Sequence, residues 1–281
     1  MDKLTLLEII QARVHAHYPD ASATEIDCES IKQTGAQVVR SALTKVELES
    51  WQIDWRNFYN QVASSREINP FNPVDFIAEI PQNLLDLYKS PSIVDKLTPL
   101  LGENIALHGV KLLVKDKFSS DPVFLHQDFA YQYGTSEKYT AFVCLENTKI
   151  ASGTVRFYLG THHLGYLSDA GELNADTLGE KWPVLHLDLE PGDMVVMHCQ
   201  LWHDSQLNTT SNPRVILAAT YQNAEDFGAI EVVRGIRSWD VIGSELLESS
   251  NSFFKRSRST RLRTLEAELN ILRTNEEPES L

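Results

Sequence analysis

Apolar residues in the first hundred positions recur at helical spacing. Leu4, Leu7, Ile10 and Val14 fall on one face of residues 4–16, which predicts an amphipathic first helix. Residues 34–40 (TGAQVVR) read as a short strand, and Thr44 with Glu47 three positions on forms a capping box that starts a helix. Trp51, Trp55, Phe58 and Val62 make one apolar stripe along it. Such a stripe can line a pocket, but burial of the helix against a sheet is the preferred reading. Pro70, Pro73 and Pro81 interrupt the next stretch, and a further helix runs from about residue 92 to Gly102, which stops it.

The pattern changes near residue 104. From there to residue 222 the chain is a series of short runs rich in Val, Leu, Phe, Tyr and Thr. Turn signals at SSDP, ENTKIASG, LGTHHLG, EPGD and NTTSNP separate them. Many short strands with turns at this spacing predict a β-sandwich or jelly roll of the cupin-like kind, mainly β with flanking helices. One domain over residues 1–281 is expected: a helical N-terminal part (1–103), a jelly-roll core (104–222) and a C-terminal extension with a helix (223–281). In that extension Lys255, Arg256, Arg258, Arg261 and Arg263 form a basic cluster. Leu262, Leu265, Leu269 and Leu272 then make a seam suited to packing on the chain's own barrel or to pairing with a second copy. Its length, barely two heptads, favours the former over a homodimer.

Composition narrows the function. The formal net charge is −14, which argues against a nucleic-acid partner, because phosphate binding relies on a surplus of Lys and Arg. The three cysteines, Cys28, Cys144 and Cys199, are far apart and include no Cys-X-X-Cys pair. They suggest neither a disulfide framework nor structural zinc, and a reducing cytoplasm fits them best. The N-terminal residues are too polar for a secretory signal, and no run approaches a membrane span, so no membrane partner is expected.

The chemistry is concentrated in two blocks. His126-Gln127-Asp128 puts an imidazole and a carboxylate two positions apart, so that in a strand they share a face while Gln127 turns away. Alone, a His-X-Asp tripeptide is close to chance. His203 supplies a second imidazole, and two His with one carboxylate leave positions open on a metal, as a non-haem Fe(II) oxygenase requires. Arg214 follows eleven positions on, and the turn at Asn208–Pro213 is expected to return it beside His203 as a hairpin. A guanidinium there matches a carboxylate bidentately, which suits the distal end of 2-oxoglutarate, and Ser205 shares the face of His203.

These segments carry a family resemblance. HQDFAY, SGTVRFYLGTHHLG and LEPGDMVVMHCQLWHDSQLNTTSNPR, in that order over roughly residues 105–222, resemble the phytanoyl-CoA dioxygenase family of Fe(II)/2-oxoglutarate oxygenases. The resemblance implies a double-stranded β-helix, with Fe(2+) on His126, Asp128 and His203 and with 2-oxoglutarate on Arg214 and Ser205. It also places Asn208 near the co-substrate, Gln127 behind the metal ligands, and Phe142 packed on 2-oxoglutarate. The expected reaction uses O2 on a small-molecule substrate, releases succinate and CO2, and leaves an alcohol. Desaturation, epimerisation or ring formation would use the same site. Two departures stand out: Leu159-Gly160-Thr161-His162 lacks the family's proline, and Asp204 replaces a common glycine and is expected to face solvent.

Other residues read more plainly. His162 and His163 suit turn roles, His198 a core histidine, and Arg156 with Tyr158 either a cavity wall or an exposed strand face. A non-catalytic cupin-like metal binder and a zinc hydrolase remain alternatives from the ligand set alone. Arg214 speaks against the first, since a bare metal site needs no carboxylate clamp.

Overall fold

The structure is a computed structural model, and it describes residues 5–62, 81–116, 120–132, 137–167, 173–226 and 231–238. The chain divides into two compact units, Met1–Ile236 and Arg237–Leu281. The basic cluster at 255–263 and the leucine seam at 262–272 lie outside the described residues, as do Pro70 and Pro73.

In chain order the elements are α1 (Leu6–Ala16), α2 (Cys28–Thr34), β1 (Ala36–Val39), α3 (Lys45–Val62), α4 (Gln82–Leu85), α5 (Pro91–Leu101), β2 (Ile105–Lys115), β3 (Val123–His126), β4 (Lys138–Cys144), β5 (Val155–Tyr158), β6 (Val184–Leu185), β7 (Met194–His198), β8 (His203–Ser205), β9 (Arg214–Asn223) and β10 (Glu231–Arg234). Local chemistry explains the helix starts. Thr5 and Glu8 form a reciprocal capping box at α1, and Thr44 and Glu47 exchange hydrogen bonds at the start of α3. Ser90 caps α5, whose first residue is Pro91, and Gly102 ends it at φ 82°.

Two antiparallel sheets face one another. One runs β1-β7-β4-β9-β2-β10 and the other β3-β8-β5-β6. This is the double-stranded β-helix, mainly β with flanking helices. The alternation of side chains along each strand of the large sheet feeds two separate cores. Ala141 and Val143 of β4, with Val215 and Leu217 of β9, point to the helices and pack with Trp55, Phe58, Leu87 and Leu97. Phe142, Cys144, Ile216 and Ala218 point the other way, between the sheets, with Val155 and Phe157 of β5. Both faces of the central strands are therefore covered, which is why they read as continuous apolar runs rather than as an alternation.

The aromatic stripe of α3 is core, as expected: Trp55 and Phe58 are buried in the helix-side cluster. Two strands of the large sheet lie outside the 104–222 region. β1 pairs with β7 from the N-terminal side, and β10 pairs with β2 from beyond residue 222. The Asn208–Pro213 turn does not make the expected hairpin. β8 belongs to the small sheet and β9 to the large one, so the chain crosses from one layer to the other. Arg214 and His203 thus approach the interior from opposite walls.

Candidate active site

His126 ends β3, Gln127 stays extended (φ −118°, ψ 131°), and Asp128 begins a 3-10 turn. β3 pairs with β8 so that His126 lies opposite His203. The two imidazole rings are 4.1 Å apart between centroids. Each ring is oriented in the same way: Nδ1 of His126 lies 2.7 Å from the Phe124 carbonyl, and Nδ1 of His203 lies 3.0 Å from that of Leu201. An N–H donated to a backbone oxygen two residues back leaves Nε2 with its lone pair outward. Both Nε2 atoms then converge on one carboxylate oxygen, Asp128 Oδ1, at 3.6 and 3.7 Å. One ligand atom from each of the three residues lies within 4.8 Å of the others.

Electrostatics tie the three groups together. Burial would raise the Asp128 carboxyl, but the charge of His203 and the hydrogen bond and charge of His126 hold it well below the usual carboxylate range. Burial, the largest single influence, would lower His126, but the interactions with Asp128 and the Phe124 carbonyl together outweigh it and raise that imidazole. His203 is pushed down to about 4, first by burial and then by His126. The other Asp128 oxygen accepts from Thr140 Oγ1 at 3.3 Å, and Thr140 in turn pairs with Thr220 at 2.8 Å. Thr140 was not anticipated, although it shares a strand face with Phe142, which was.

The wall around His203 is aromatic. Phe142 meets it edge-on at 6.2 Å and Phe157 stacks on it at 6.4 Å with 19° between the planes. Phe157 and Val155 face the interior, so Arg156 and Tyr158 do not line the cavity. They lie on the outer side of the small sheet against Asp204. Asp204 does not face solvent either: it is buried, and both its oxygens accept from Arg156, at 2.7 and 2.5 Å. A buried carboxylate is retained only when paired, and the neighbouring strand supplies its partner.

Gln127 turns away from the metal ligands, as predicted, and is wholly buried. Its Nε2 donates to the carbonyls of Gly165 (2.8 Å) and Gln200 (2.6 Å), and its Oε1 accepts from Leu167 N (3.0 Å). It ties the ligand strand to the loops on either side. Gln127→Leu would strand those three backbone groups, and we expect a loss of about 1–3 kcal/mol, read by denaturant unfolding of the metal-free protein. Asn208 is likewise committed to structure: Nδ2 donates to Lys115 O and Asn212 O, and Oδ1 accepts from Thr210. His162 and His163 sit in a 3-10 turn with Nε2 against the carbonyls of Lys32 and Gln33. Gly160 opens that turn at φ 81°, which keeps the bend without the proline. His198 packs beside them and edge-on to Tyr139.

Arg214 begins β9 and is 2% exposed, yet among the described residues its Nε and Nη1 have no hydrogen-bond partner. Burial pushes the guanidinium down to about 10, and the nearby Cys144 thiol, itself pushed up to about 12 by burial, supplies no counter-charge at neutral pH. Ser205 is buried on the same face of β8 as His203. Two imidazoles and a carboxylate suit ferrous iron, and an orphaned buried guanidinium suits a carboxylate. The residues present therefore fit iron and 2-oxoglutarate.

Fold and site together define a double-stranded β-helix whose two imidazoles and one carboxylate could hold a single metal ion. Residues 31–216 match the family described as phytanoyl-CoA dioxygenase (PhyH), and the chain belongs to it. That family is one of Fe(II)/2-oxoglutarate-dependent oxygenases, and His126, Asp128 and His203 could hold its metal ion. The chain is 32% identical over 115 residues to a Stutzerimonas stutzeri protein described as "Probable alpha-ketoglutarate-dependent hypophosphite dioxygenase". That match spans 41% of this chain and only 37% of the relative. Among solved structures it is similar to the epimerase SnoN in complex with Fe3+, alpha ketoglutarate and nogalamycin RO (TM-score 0.58, 20% identity, 78% of this chain and 84% of that one). It is also similar to the carbocyclase SnoK from nogalamycin biosynthesis (TM-score 0.60, 18% identity, 74% and 89%). At these identities the likeness is one of fold. No helix among the described residues is long and apolar enough to cross a membrane.

Proposed function

We propose that the protein hydroxylates an unactivated C–H bond of a small organic metabolite, with 2-oxoglutarate converted to succinate and CO2. The observation that carries this reading is the convergence of His126 Nε2, His203 Nε2 and Asp128 Oδ1, combined with a buried, unpartnered Arg214 entering from the facing sheet. Iron with bound 2-oxoglutarate supplies the activation of O2 and the oxidising power. The chain supplies position. His126, Asp128 and His203 would hold the metal, and Thr140 fixes the second oxygen of Asp128. Arg214, with Ser205, holds the distal carboxylate, and Phe142 and Phe157 keep water from the inner wall. Lys111 is exposed on the strand β2, and its positive charge acts on both His126 and Asp128. A substrate carrying negative charge is favoured beside it.

A second reading uses the same site for epimerisation or ring formation, the activities named for the two solved structures of like fold. Product analysis separates the two, since only hydroxylation adds an oxygen atom from O2. The protein is proposed to work as a soluble enzyme in the reducing cytoplasm, where Cys28, Cys144 and Cys199, all free thiols, remain reduced.

The test begins without substrate. Iron-loaded protein under anaerobic conditions should give a weak visible charge-transfer band on addition of 2-oxoglutarate. A screen for compounds that stimulate succinate release, anionic ones first, would then find the substrate. A loaded protein with no band and no 2-oxoglutarate binding would overturn the proposal.

A further inference from the structure

A free cation and an open recess lie side by side on the sheet that faces the metal ligands. Cross-strand register places both. Gly109 on β2 lies opposite Thr220 on β9, which lies opposite Thr140 on β4, and Thr140 donates to Asp128. In the next row on the same face, Lys111 lies opposite Ala218, which lies opposite Phe142 beside His203. Directly opposed residues share a face, so Gly109, Lys111, Ala218 and Thr220 all border the site.

Gly109 has no side chain, and a Cβ built on it would meet no described atom within 4 Å. With alanine at position 218 as well, the wall is hollow here, beside the ligands. β2 stands two strands from β4, about 10 Å at the usual strand spacing. Further along β2, Leu113 packs into the core between the sheets and separates the recess from Arg214. Four residues of strand, about 13 Å, lie between Lys111 and the residue opposite Arg214. Recess and co-substrate end are thus different places.

Lys111 is exposed, and among the described residues no acid or carbonyl pairs with its ammonium. The formal net charge of −14 leaves acids in excess, yet none lies against it. Its charge acts on both His126 and Asp128, so the ammonium is within electrostatic reach of the ligands. Resting on the oxygenase reading above, we propose that this recess is the substrate subsite, that it takes a compact organic acid, and that Lys111 binds the acid group. The acid pairs with the ammonium at the mouth, and its carbon chain lies over Gly109 and Ala218 toward the metal ligands. A chain of a few carbons, met partway by the lysine, covers the width of about 10 Å. Carboxylate, phosphonate and sulfonate share the chemistry recognised, since an ammonium is a point charge without the planar fork that favours a carboxylate.

The experiment follows the visible charge-transfer band of the anaerobic, iron-loaded protein saturated with 2-oxoglutarate. The probes are short-chain carboxylates, phosphonates and sulfonates, each beside the primary amide or amine of the same chain. In the wild type, acids should shift the band and, once O2 is admitted, stimulate succinate release; amides and amines should do neither. Lys111→Ala should weaken the response to acids by roughly 10- to 100-fold, as for a lost charge-assisted hydrogen bond, with a smaller difference at high salt. Lys111→Arg should restore most of it, and Lys111→Glu should transfer the preference to amines. The Gly109 backbone is not left-handed, so the strand accommodates Gly109→Leu, which should remove the response to acids while the band with 2-oxoglutarate remains. Acids that act equally on wild type and Lys111→Ala, or a wild type that responds to no acid or to amides equally, would overturn this inference alone. So would a Lys111→Ala protein whose loss is in 2-oxoglutarate affinity rather than in the acid response, or an undiminished acid response in Gly109→Leu. A wild type that gives no band with 2-oxoglutarate would overturn the oxygenase reading instead.

Discussion

Asp128→Ala is expected to abolish substrate-stimulated succinate release and to weaken iron binding by more than the about 10- to 100-fold that loss of an outer-shell partner costs. Asp128 is the point at which the site closes. Both Nε2 atoms aim at its Oδ1, and its Oδ2 is held by Thr140. The neighbouring imidazoles keep the carboxylate well below the usual range, so it is ionised at any working pH and presents a full negative charge to the metal. Alanine leaves two imidazoles whose Nδ1 contacts to Phe124 and Leu201 are intact. The rings stay in place, and iron loses its anionic ligand while the fold is retained. Iron titration against a coloured chelator, with circular dichroism as the folding control, makes the measurement. Native iron affinity together with retained turnover would sink the metal assignment.

How much of this was legible in the sequence varies with the range of the interaction. The capping boxes at Thr5 and Thr44 and the stop at Gly102 depend on residues within a turn of each other, and they read directly. The pairing of His126 with Asp128 also survives, because an extended Gln127 carries the strand alternation one step past the end of β3. What failed is the assignment of neighbours across layers. The Asn208–Pro213 turn has the chemistry of a hairpin, and nothing local says that β8 and β9 enter different sheets. Asp204 likewise reads as a solvent residue until Arg156, 48 positions away, is seen to pair with it from the adjacent strand. Thr140 went unnoticed for the same reason: it acts on a carboxylate brought near by a packing that residue type alone does not encode.

Arg214→Met should have two effects of opposite sign, and the pair is more telling than either. In the ligand-free protein the guanidinium is buried with Nε and Nη1 unpartnered among the described residues, and its cross-strand neighbour, Lys115, is a second cation. Replacing it with an apolar side chain of similar length removes that cost, so the metal-free variant should be more stable by on the order of 1–3 kcal/mol. For a chain of this size that is a rise in Tm of roughly 2–4 °C per kcal/mol. Binding of 2-oxoglutarate should weaken by on the order of 2–5 kcal/mol, or roughly 30- to 4,000-fold, because the distal carboxylate loses its bidentate partner. Arg214→Lys restores the charge but not the planar fork, and should recover only part of the loss. Iron binding should be unchanged in both variants, which separates them from Asp128→Ala. Thermal unfolding with and without 2-oxoglutarate reads both effects at once: the baseline Tm rises and the ligand-induced shift disappears. A variant that is less stable when ligand-free, and yet binds 2-oxoglutarate as the wild type does, would show that Arg214 supports the fold rather than the co-substrate.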